Sequence, residues 1–179
     1  TFLFLDSLNK LKRVILGKNP SAFDFTMLYG DSCSGTDIYN SIQTVSLFGS
    51  RRITVVKDID KLEKNDLAGL TDALEDIPDS SYVVLFVDKE KLDRRLKLVK
   101  VCRDTGAVVN LRRLYPSELL LWIKARAEDL GMSFQDDALA LFMVAVGNDL
   151  WNVANELEKL SLYLGGERQT VTAEDVKLV

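Results

Sequence analysis

The stretch YVVLFV, Tyr82–Val87, decides the fold. It is too short to span a bilayer and too continuously apolar for a strand with one wet face. Such a run fits a strand of a parallel sheet with helices on both faces, so it is expected to be buried on both. On its N-terminal side, RITVVK (52–57) is a second strand, enriched in β-branched residues. FDFTMLYGD (23–31) reads as a strand ending in a turn, and GAVVNL (106–111) as a fourth strand. Between them lie segments with helical spacing. Phe2 to Leu16 places Leu5, Leu8, Leu11 and Ile15 on one stripe. Asp37 to Leu47 does the same with Ile38, Ile42 and Val45, and Asn65 to Glu75 and Leu92 to Cys102 are two more helices. Strands alternating with helices predict a parallel α/β sheet.

The alternation stops near residue 115, and from Pro116 on the pattern is helical only. PSELLLWIKARAEDLG (116–131) has a proline at its first position and a glycine at its end. SFQDDALALFMVAVG (133–147) opens with a serine and acids in its first turn. NDLWNVANELEKLSLYLGG (148–166) has Asn148 or Asp149 as N-cap and a glycine pair as stop, and TVTAEDVKLV (170–179) opens a fourth helix capped by Thr172. Two domains are therefore expected: residues 1–114, α/β, and residues 115–179, a small helical domain.

Composition excludes whole classes of chemistry. The 179 residues include no histidine, so Ser-His-Asp or Cys-His catalysis and histidine metal sites are ruled out within this chain. There is no GxxxxGK[ST] loop and no GxGxxG. The formal net charge of −4 argues against a strong independent DNA binder. The basic pairs Arg51-Arg52, Arg94-Arg95 and Arg112-Arg113 read as solvated element ends rather than phosphate contacts. Cys33 and Cys102 have no metal-like spacing and read as reduced thiols of a cytoplasmic protein. Trp122 and Trp151 are expected in the core, Cys102 as a small buried hydrophobe, and Tyr29 with Asp31 as a structural turn. No membrane segment is expected.

An α/β domain followed by a small helical one suggests an AAA+ architecture: a parallel sheet with flanking helices plus a helical lid. The ordered series SLFGSRRITVVK (46–57), LDRRLKLVKVCRDTGAVVNLRRLYPSELLLWIKARAEDLGMSF (92–134), VGNDLWNVANELEKLSLY (146–163) and TVTAEDV (170–176) resembles the delta subunit of the bacterial DNA polymerase III clamp loader. The likeness runs from the first helix to Val176. Two departures stand out. The family opens with a strand and a GxD turn before its first helix, whereas Thr1 begins after that point, as in a chain that starts inside a longer protein. The family also carries a C-terminal collar domain that is absent here.

What the resemblance implies concerns Ser46, Leu47 and Phe48 first. At about 100° per residue, Leu47 falls roughly opposite the Ile38/Ile42/Val45 stripe and Phe48 well to one side of it. In delta subunits a Leu-Phe pair here enters an apolar pocket of the ring-shaped sliding clamp (the beta subunit) and helps the ring open for loading onto primed DNA. An exposed aliphatic-aromatic pair next to Gly49 suits such an anchor. The plainer alternative has Phe48 packing on the sheet and Leu47 as an ordinary exposed leucine. The other loader subunits would be met through the collar, and primed DNA only in the assembled loader.

Two rival functions stand beside this one: a nucleotide-binding AAA+ ATPase, and an adaptor that binds another protein through the same apolar pair. A motor needs acids for Mg²⁺ after its third strand and an arginine from the helical domain. Here Lys57, followed by Asp58, stands where the metal acid is expected, and Leu150 where the arginine is expected. No intrinsic catalysis, metal or cofactor is therefore expected, only membership of a polymerase holoenzyme.

Overall fold

β2 (Arg52–Lys57) is the middle strand of a three-stranded parallel sheet with β1 (Phe25–Tyr29) on one side and β3 (Ser81–Leu85) on the other. Register pairs Phe25 with Ile53 and Met27 with Val55, and on the other edge Ile53 with Tyr82 and Val56 with Leu85. The computed structural model describes residues 2–17, 21–45, 51–88, 96–165 and 170–178. The chain forms two compact units, Leu5–Asn110 and Thr1–Phe4 with Leu111–Val179.

In the first unit, α2 (Gly35–Gln43), α3 (Lys64–Ala73) and α4 (Lys97–Thr105) pack with the sheet around Ile38, Ile42, Val56, Ile59, Leu70 and Leu98. Ile53 and Val55 are also fully buried and alternate with Thr54 and Val56, so β2 is covered on both faces. α1 (Phe2–Leu16) meets β1 where the Lys12 ammonium lies 3.8 Å from the centre of the Phe25 ring.

Three expectations for this unit are corrected. Double burial belongs to β2, whereas every residue of YVVLFV is only half-buried. β3 has one strand neighbour among the described residues, and a strand paired on one side shields less of its surface. Residues 106–111 form no strand, and Val109 is 74% exposed. Apolar β-branched residues form a strand only against an edge that takes up their backbone groups. Finally, α2 ends at Gln43, with Thr44 as its cap in extended conformation, so Val45 lies off the stripe and is exposed.

The second unit is built on α5 (Pro116–Asp129), α6 (Asp136–Val146), α7 (Leu150–Leu164) and α8 (Ala173–Leu178). Its core holds Leu119, Ile123, Leu139, Phe142, Val153, Leu157 and Leu160. Gly131, Gly147 and Gly165 follow three of these helices with positive φ, as their place at helix ends requires. Helices alone do not complete the unit. β4 (Ser133–Phe134) pairs in parallel with β5 (Thr170–Val171), and Gln135 N–H donates to the Val171 carbonyl. Trp122 packs against the core as expected, whereas Trp151 is half exposed. Trp151 lies about 150° around α7 from the centre of the Val153/Leu157/Leu160/Leu164 stripe, and its ring meets Phe2 edge-on at 5.0 Å. Among the described residues no helix is long and apolar enough to cross a membrane.

Candidate functional site

Ser46, Leu47 and Phe48 lie outside the described residues, with Gly49 and Ser50. What is described is the frame the chain leaves before them and rejoins after them. α2 begins in a capping box. The Ser34 hydroxyl oxygen accepts from Asp37 N–H at 3.2 Å, and Asp37 Oδ2 accepts from Ser34 N–H at 2.9 Å. The Ser34 backbone N–H, and then its hydroxyl, hold the Asp37 carboxyl below the usual aspartate range. Gly35 N–H donates to Asp66 Oδ1 at 2.7 Å, which roots the helix on α3.

The far end of α2 is tied down as firmly. Both Thr44 N–H and its hydroxyl donate to the Asn40 carbonyl, at 3.0 and 2.6 Å. Gln43 Nε2 donates to the Asp76 carbonyl at 2.8 Å, and the Ser81 hydroxyl to the Ile42 carbonyl at 3.0 Å. Below these contacts the Ser41 and Thr54 hydroxyls meet in the interior. Where the chain returns, Arg52 N–H donates to the Ser80 carbonyl at 2.9 Å. Arg52 Nη1 donates to the Phe23 carbonyl and Nη2 to Thr26 Oγ1, both at 2.8 Å. The Arg51 guanidinium stands 5.9 Å from the Tyr82 ring centre. Both flanks of residues 46–50 are thus fastened at the end of the sheet where its strands begin. Such a frame carries no reactive group; what it can do is hold a short stretch of chain between two fixed points.

The opposite end of the sheet carries Lys57 and Asp58, two of the three positions that bear on nucleotide chemistry. Lys57 closes β2, its ammonium 5.3 Å from the Tyr29 ring centre. Asp58 follows in left-handed conformation at φ 54°. Lys61 Nζ lies 3.6 Å from Asp58 Oδ2 and 3.4 Å from Asp31 Oδ2. The Asp58 charge, and next the hydrogen bond to Asp31, raise the Lys61 pKa above the ordinary lysine value. Among the described residues no group of three or more Cys, Asp or Glu side chains could hold a metal ion. Leu150 is the first residue of α7 and packs against the helical core. Burial, with the charges of Asp37 and Asp66, pushes the Cys33 thiol up, and burial does the same for Cys102. Neither is poised as a nucleophile.

Tyr29 and Asp31 do form a turn: Ser32 and Cys33 N–H both donate to the Tyr29 carbonyl. Two features escaped the sequence reading. The spacing of SAFD (21–24) is the signature of a cap, and Ser21 and Asp24 make one around a short 3-10 turn that carries Phe23. The Arg52 contacts link parts of the chain 26 and 29 residues apart and have no local signal.

Comparison with known proteins gives a consistent picture. The family model described as DNA polymerase III, delta subunit, matches residues 1–112, and one described as a middle domain matches residues 115–178. The chain is 20% identical over 188 residues to DNA polymerase III subunit delta of Bacillus subtilis, covering 100% of this chain and 54% of that protein. It is 30% identical over 136 residues to the replication factor C large subunit of Pyrobaculum arsenaticum, covering 75% of this chain and 31% of that one. The solved structure of the Bacillus subtilis DNA clamp loader delta protein superposes with a TM-score of 0.78 at 19% identity, covering 99% of this chain and 55% of that one. The architecture is AAA+-like, a parallel sheet with flanking helices followed by a helical region. The chain spans about half the length of its bacterial relative, and about a third of the archaeal one.

Proposed function

The chain belongs to the DNA polymerase III delta-subunit family, and from that premise we propose that it is a non-catalytic clamp-loader subunit whose Ser46, Leu47 and Phe48 bind the sliding clamp and help open the ring for loading onto primed DNA. The observation that supports this reading is the frame around residues 46–50. Hydrogen bonds from Thr44, Gln43 and Ser81 hold one flank, and those of Arg52 hold the other. Fixed flanks lower the ordering cost when the intervening chain docks. An aliphatic-aromatic pair there can then act as a compact anchor in an apolar pocket.

In this reading residues 1–114 form the clamp-binding AAA+-like domain and residues 115–179 a lid-like domain. The protein acts in the cytoplasm as part of the polymerase III holoenzyme. Other loader subunits are met through a collar beyond this chain, and DNA only in the assembled loader. Nucleotide turnover falls to neighbouring subunits. Lys57 would set a like charge beside a metal, and Leu150 has no guanidinium to offer a γ-phosphate.

The test is a titration of the full-length protein with the sliding clamp of the same organism. The parent should form a complex. The double variant Leu47→Ala, Phe48→Ala should keep its fold and bind more weakly by about 2–4 kcal/mol or more. Equal binding by the double variant would remove these residues from the site, and unfolding would place them in the core.

A further inference from the structure

We draw no further inference here: the strongest candidate, the apolar groove of the helical unit between α6, α7 and α8, floored by Phe142, Val146, Leu160 and Val176, carries none because nothing in the structure shows what covers it.

Discussion

The hydroxyls of Ser41 on α2 and Thr54 on β2 meet 3.0 Å apart in the interior of the α/β unit. Thr54 Oγ1 also reaches the Ser41 carbonyl at 3.3 Å. The pair joins the last turn of α2 to the middle strand, and the proposed clamp-binding residues fall between the two in sequence. Thr54→Val leaves the Ser41 hydroxyl buried without that partner and should cost about 1–3 kcal/mol in denaturant unfolding. Ser41→Ala with Thr54→Val should cost less than the sum of the two single changes. Strict additivity would show that the hydroxyls do not act as a pair.

Gly30 is a second point where the sheet tolerates no change. Its N–H donates to the Lys57 carbonyl at 2.8 Å, and a Cβ there would lie 2.3 Å from the Asp58 carbonyl oxygen. That atom is backbone, held in a left-handed residue, and cannot swing aside. Gly30→Ala should destabilise by about 1–3 kcal/mol or more. An unchanged unfolding midpoint would mean that the β1 and β2 ends are looser than described.

The start of α5 should carry an acid-sensitive contact. Arg112 donates to both Glu118 oxygens, at 2.8 and 2.7 Å, and Tyr115 N–H donates to Glu118 Oε2 at 2.8 Å. The guanidinium first, and then the backbone N–H, hold the Glu118 carboxyl below the ordinary value of 4.5. A carboxyl depressed in the folded state stabilises above its unfolded pKa and loses that contribution as pH falls through the folded one. Hydrogen exchange at the first turn of α5 should therefore speed up, beyond the intrinsic pH trend, as pH drops below about 4. In Glu118→Gln the turn should be less protected at neutral pH and show no such acid step. A step that survives the substitution assigns it to another group.

Magnesium-dependent binding of ATP by the full-length protein is expected to be undetectable in isothermal titration. Phosphoryl transfer needs a metal held between acids and phosphates and positive charge on the transferring group. Lys57 ends the middle strand with an ammonium, and Lys61 already bridges Asp31 and Asp58. Micromolar binding that requires magnesium, or turnover lost on Asp58→Asn, would return the protein to the motor class.

What was legible in the sequence is what local periodicity and caps determine. The order of elements through α3, the proline at the start of α5 and the glycines after α5, α6 and α7 follow from rules that act within a few residues. The family was legible because an ordered series of short stretches carries more information than any one of them.

Tertiary structure alone decided which apolar runs find neighbours. Hydropathy marks both RITVVK and YVVLFV as sheet material, but only the strand order makes Arg52–Lys57 the covered middle. GAVVNL has strand composition and forms none, because a strand exists only against an edge that takes its hydrogen bonds. Ser133–Phe134 is too short to announce itself and becomes a strand because Thr170–Val171 arrives beside it. Phe23 read as part of a strand. A cap made by Ser21 and Asp24, and an arginine 29 residues away, turned it toward water instead. Periodicity describes one segment's own preference, whereas burial and hydrogen-bond pairing are properties of two segments that the chain brings together only on folding.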